Sequence, residues 1–188
     1  MPPNLSNPSL LELRLECAAV SAEFRDLAGG LGEAQLAWSP RPLDWSIAQC
    51  LEHLVKTVGA YRPKIEQALG AAEPGRRSEE PLRAGLFGGW LIALAGPGAK
   101  HRLPCPRGIA PGTAPAAGAL ARFLASQETV QALIDASDGL DLNRVPVTSP
   151  LSPFLTLSLG EALTVVTAHA RRHLDQARRV RAHAGFPA

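Results

Sequence analysis

The placement of prolines constrains this chain more than any other feature. A helix interior tolerates proline poorly, and the residue before a proline is pushed out of helical geometry. Seventeen of the 188 residues are proline, yet four long proline-poor stretches remain: Ser9 to Ser39, Leu43 to Arg62, Ala116 to Val145 and Phe154 to Phe186. Each carries apolar residues at helical spacing, which predicts four helices. Alanine and leucine supply 59 residues against 14 for the β-branched valine and isoleucine. That balance disfavours an all-β or parallel α/β fold.

Local signals predict the helix ends. Ser9-x-x-Glu12, Ser46-x-x-Gln49 and Ser158-x-x-Glu161 each read as a capping box, in which serine and acid or amide satisfy two free backbone N–H groups reciprocally. Gly29-Gly30, Gly70, Gly139 and Gly185 supply stops, and Pro63 predicts a kink or early end in the second helix. Ten glycines and seven prolines fall in the 49 residues from Gly70 to Gly118, a density that predicts a long crossover. Within it, Pro81 to Ala95 reads as a short helix with Pro81 in its first turn and Gly96-Pro97 at its end. A helix pair, a long crossover and a second helix pair make an all-α four-helix bundle. No repeat, low-complexity tract or linker divides the chain, so residues 1–188 read as a single domain.

Charge names no ligand. Nineteen basic residues against seventeen acidic ones give a net charge of +2, too weak a field to call for nucleic acid or an anionic membrane. Cys17, Cys50 and Cys105 are odd in number and far apart, which points to reduced thiols and no disulfide framework. The start of the sequence lacks the pattern of a signal peptide, and no segment approaches the roughly 18 to 20 apolar residues of a membrane span. A cytoplasmic protein with no membrane partner is the expectation.

The clearest chemical signal is the pair His169 and His173. Imidazoles at i and i+4 stand one turn apart on one helix face and can reach one metal ion. They share a stripe with Leu159, Ala162, Val166, Gln176 and Val180, which turns them toward the bundle interior. His53, at the edge of an apolar stripe on the second helix, can supply a third ligand from a facing helix. Residues alone leave two readings open, a metal site and a set of satisfied core histidines. Ala170 stands where the metalloprotease helix carries its glutamate, which argues against a peptidase. His101 and His183 read as surface residues.

These same residues carry a family resemblance. Trp45-Ser46 through Gln49 to His53-Leu54 resembles the Trp-Ser-x-x-(Gln or Glu)-x-x-x-His-Leu signature of the DinB-like (DinB/YfiT-type) metal-binding four-helix bundles. The run His169-Ala170-Arg171-Arg172-His173-Leu174-Asp175-Gln176 is similar to that family's last helix. Gly88-Gly89-Trp90 and Leu103-Pro104-Cys105-Pro106 look like crossover segments of one branch, and the likeness spans roughly Leu10 to His183 by order of elements. The resemblance implies an up-down-down-up bundle, a divalent metal on His53, His169 and His173, and a homodimer. It also implies small-molecule chemistry: characterised relatives include transferases and isomerases that use small thiols, along with hydrolases.

Three nitrogen ligands leave a coordination position open, where a water or a thiolate can be activated. Imidazole suits zinc, nickel, iron or copper. Gln49 and Gln176 can orient a ligand ring or serve as capping and surface residues; Tyr61 can donate into the pocket or fill the core. Trp45 and Cys50 read as packing residues, and the arginines of the last helix as a solvated face in which Asp175 pairs with Arg171 or Arg179. The functional expectation is a metal-dependent enzyme of transferase or hydrolase type. Its rival is a non-catalytic, metal-stabilised or dimerising bundle, supported by the absence of a clear acid, base or nucleophile.

Overall fold

The computed structural model describes residues 5–72, 78–98, 105–113 and 117–188. Among the described residues the fold is all-α apart from one small hairpin: α1 (Pro8–Ala28), α2 (Glu33–Ala37), α3 (Ile47–Ala71), α4 (Leu86–Ala95), α5 (Ala119–Ala136), β1 (Pro146–Thr148), β2 (Thr156–Ser158) and α6 (Leu159–Arg181). A 3-10 turn, Arg107–Ile109, lies between α4 and α5. Helices α1 and α3 each pack against both α5 and α6, and α4 lies on α6. No helix among the described residues is long and apolar enough to cross a membrane.

Two of the three capping boxes form as expected. Ser46 Oγ accepts from Gln49 N at 3.1 Å while Gln49 Oε1 accepts from Ser46 N at 3.0 Å. Ser158 and Glu161 do the same for α6, at 3.2 and 2.8 Å. The first helix departs from expectation: α1 is capped by Asn7, whose Oδ1 accepts from Ser9 N, with Pro8 in the first turn. Pro8 suits that place because its missing N–H needs no partner there. Ser9 Oγ instead accepts from Leu82 N, and the buried Asn7 Nδ2 donates to Glu80 O. Both residues therefore tether the crossover to the start of α1.

Pro63 does not end α3, which continues to Ala71 just beyond Gly70. The helix survives the lost hydrogen bond because Ile65 and Ala68, downstream of the proline, are buried in the core. Helix α4 starts later than expected, at Leu86. Asn143 explains this, since its Oδ1 accepts from Arg83 N and its Nδ2 donates to Pro81 O, holding that segment off the helix. Gly29 and Gly96 cap α1 and α4 as expected, whereas α5 ends at Ala136 and α6 at Arg181, before their glycines. Ala116, expected to open the third helical stretch, lies outside the described residues; α5 begins at Ala119.

The hairpin was not expected from the sequence, but it lies ahead of α6, which starts at the Ser158 capping box as expected. Val147 faces Leu157 across the antiparallel pair, and both are buried. Valine and threonine near prolines favour this extended path over helix. The core has two clusters: one around Leu10, Ile65, Ile134 and Leu163, the other around Phe24, Phe123, Leu51 and Leu174.

Candidate metal centre

The capping box at Ser46 starts α3 so that His53 faces α6, and the box at Ser158 does the same for His169 and His173. The three rings converge: their centroids are 5.0 Å apart for His53 and His169, 4.8 Å for His53 and His173, and 4.5 Å for His169 and His173. One ligand atom from each lies within 4.8 Å of the others, so the trio could hold a metal ion.

Backbone carbonyls set the tautomers. His53 Nδ1 lies 2.7 Å from Ile109 O, and His169 Nδ1 lies 3.3 Å from Ala95 O. A carbonyl only accepts, so each Nδ1 carries the proton and each neutral ring turns a lone pair outward at Nε2. Those two Nε2 atoms face each other at 2.8 Å. Two lone pairs at that distance repel unless a proton or a metal ion lies between them. A proton is disfavoured, because burial, the main cause at each ring, holds all three histidines below the usual imidazole range, His169 at about 4. His173 Nδ1 is buried with no hydrogen-bond partner, an arrangement that costs about 1–3 kcal/mol if left unrelieved. Facing lone pairs, neutral rings and an orphaned nitrogen all fit a divalent cation.

The family model of the DinB superfamily matches residues 17–177, which include every residue of this cluster. The chain belongs to the DinB superfamily. No curated protein and no solved structure matches it.

In this DinB-superfamily chain the groups around the rings come mostly from the crossover. Gln49, offered above as an orienting group, spends its amide on Ser46 and on Gly112 O, at 2.9 Å. Lys56 Nζ donates to Ala110 O, and Glu52 Oε1 accepts from Gly112 N. Together they hold the segment that brings Ile109 O to His53, so Gln49 acts on the ring only at second hand. Gln176 lies beside His173, where it favours the charged ring against the effect of burial. Trp45 packs on the histidine rings themselves, stacked on His173 at 5.6 Å and tilted against His53 at 4.9 Å. Cys50 is fully buried and stands outside the cluster, with burial pushing its thiol up to about 12.

A cavity of about 430 Å³ opens beside the rings, lined by all three histidines, Trp45, Tyr61 and Gln176 among others. Tyr61 is buried and its hydroxyl makes no hydrogen bond, so it is both a core residue and part of the cavity wall. His183 is exposed, as expected; His101, Leu103 and Pro104 lie outside the described residues. Asp175 pairs with Arg178 at 3.2 Å instead of Arg171 or Arg179. Arg171 reaches Glu16 and Glu23 on α1 at 2.6 and 2.7 Å, because α6 packs against α1 there and the arginine face is only partly solvated. Sequence reasoning missed Arg172 and Cys105 as wall residues. Arg172, one turn from His169, carried a helical-spacing signal for that placement.

Lowered imidazole pKa values give the metal-free protein a defined pH dependence. Unfolded imidazoles titrate near pH 6.5 and the folded ones below it, so the unfolded chain binds more protons as the pH falls through this window. Stability is therefore full above about pH 6.5 and declines toward pH 4, by up to about 1.4 kcal/mol per pH unit for each ring. Urea unfolding of metal-free protein at pH 7.5 and 5.5 should show a lower midpoint at the acid pH and a smaller difference in His169→Ala. A midpoint that rises on acidification would show that the folded rings hold the protons.

Proposed function

We propose that the chain is a divalent-metal-dependent enzyme of transferase or hydrolase type in which His53, His169 and His173 hold the ion, zinc, nickel or iron. The observation that carries this reading is the facing pair of Nε2 atoms, whose tautomers are set by the Ile109 and Ala95 carbonyls. When bound, such an ion supplies Lewis acidity to a water or a small thiol presented at its open position. The chain's own residues do the rest. Ile109 and Ala95 keep two imidazoles in the ligating tautomer, Trp45 shields the rings from solvent, and the cavity admits a small molecule beside them.

The wider proposal is a single domain over residues 1–188, folded in the up-down-down-up order, that works in the cytoplasm as a homodimer without nucleic-acid or membrane partners. Leu86, Phe87 and Trp90, half to fully exposed along α4, support self-association. A second reading, a non-catalytic metal-stabilised bundle, is favoured by one observation: among the described residues no Asp or Glu lines the cavity to act as a general base. Turnover assays with thiol acceptors and esters in the presence of nickel, zinc or iron separate the two. Metal-dependent turnover that is lost in His53→Ala is the expected result, whereas metal-induced stabilisation without turnover on any substrate favours the non-catalytic bundle.

A further inference from the structure

We infer that residues 105–113 form a strap whose seating on α3 is coupled to the metal ion, with Lys56 and Glu52 as the positioning residues that seat it. The inference rests on the metal reading for the ion at His53 Nε2.

The coupling starts from helical spacing. Gln49, Glu52, His53 and Lys56 stand at i, i+3, i+4 and i+7, so they share one face of α3. All four spend a polar atom on the backbone of the strap. Gln49 Nε2 donates to Gly112 O at 2.9 Å, Lys56 Nζ to Ala110 O at 2.8 Å and His53 Nδ1 to Ile109 O at 2.7 Å, while Glu52 Oε1 accepts from Gly112 N at 3.3 Å. The Glu52 carboxylate also pairs with Lys56 at 2.8 Å, which aims the ammonium. No residue from 105 to 113 is buried, so these polar contacts, more than packing, seat the strap. A segment held in this way belongs to the low-stability end of a structure and opens without global unfolding.

One of the four contacts is also the tautomer lock. With the strap seated, Ile109 O holds the proton on His53 Nδ1 and leaves the Nε2 lone pair for the ion. With the strap unseated, that preference is lost. An ion at Nε2 in turn draws electron density from the ring and makes Nδ1–H the stronger donor, so the effect is reciprocal. Cys105, Pro106 and Ile109 line the cavity, and the same seating therefore shapes the wall beside the ion. Lys56 and Glu52 belong neither to the histidine cluster nor to the cavity wall, so they act through the strap.

The test uses full-length, tag-free protein, with Zn²⁺ affinity measured by competition against a chromogenic chelator and amide exchange of residues 105–113 followed by mass spectrometry. Zinc should slow exchange in this segment by up to about tenfold in the wild type. Lys56→Met should weaken zinc binding about tenfold and speed strap exchange in the metal-free protein, and Lys56→Arg, which keeps a donor, should restore both. The sign is decisive. Lys56 is a positive charge near His53, so its direct effect on an ion is repulsive, and a loss of charge acting through space alone would tighten zinc binding. Glu66→Ala, which breaks the exposed Arg62–Glu66 pair further along α3, should change neither readout. Equal or tighter zinc binding in Lys56→Met overturns the inference. So does strap exchange that zinc leaves unchanged in the wild type, a result that stands even if Lys56→Met fails to fold. If the wild type binds no zinc after reloading, the metal reading falls and the coupling with it; zinc bound with strap exchange unchanged defeats the coupling alone.

Discussion

Replacing Gly88 by alanine lowers stability by about 1–3 kcal/mol, although alanine is the better helix former. A Cβ at Gly88 would lie 2.0 Å from Glu161 Oε1 and 2.1 Å from Cδ. The Glu161 carboxylate cannot swing aside without loss, because Oε1 accepts from Gly85 N and Oε2 from Ser158 N, both at 2.8 Å. One buried side chain thus caps α6 and anchors the start of α4. Gly89→Ala is the control: its Cβ meets only the Ala84 Cβ at 3.7 Å, an ordinary contact, so stability should hold or rise by up to about 1 kcal/mol. Gly88→Ala should also weaken metal binding about tenfold, since the far end of α4 presents Ala95 O to His169 and Leu94 O to Arg172. Urea unfolding and a metal titration of both variants check this. Equal stability of Gly88→Ala and wild type would mean that Glu161 does not clamp α4.

Removing His169 separates metal binding from folding. At metal concentrations 100-fold above the dissociation constant the wild type should gain about 2.7 kcal/mol of stability. His169→Ala should lose nearly all of that gain, because one of the two facing Nε2 atoms is gone. Its helix content should stay near that of wild type, since His169 lies at the cavity wall and keeps some exposure, while the core of α6 is made by Leu159, Leu163, Leu174 and Ala177. Thermal unfolding followed by circular dichroism, with and without metal, reads both effects. Equal metal-induced stabilisation in the variant and the wild type would place the ion elsewhere.

Much of this was legible in the sequence because it depends on side-chain spacing. The interval of four between His169 and His173, the apolar stripe that carries them and the Ser46 and Ser158 boxes are all readable along one helix. What escaped depends on which distant backbone atoms meet. Ile109 O and Ala95 O fix the tautomers, yet a carbonyl has no residue signature. Asn143 delays α4 from 60 residues away, and Asn7 displaces Ser9 as a cap because Ser9 is drawn to Leu82. Arg172 could not be separated from its arginine neighbours until α4 was seen to dock on α6 and supply Leu94 O. Pro63 was overruled by burial of the residues beyond it, a tertiary effect that local propensity does not contain.

The proposed function requires that His53, His169 and His173 together hold one divalent ion. Elemental analysis of the purified, tag-free protein alongside His53→Ala, His169→Ala and His173→Ala tests it most directly. About one metal ion per chain is expected in the wild type, with a near-complete loss in all three variants. No metal in the wild type, even after reloading, or wild-type metal content in any single variant, would contradict it.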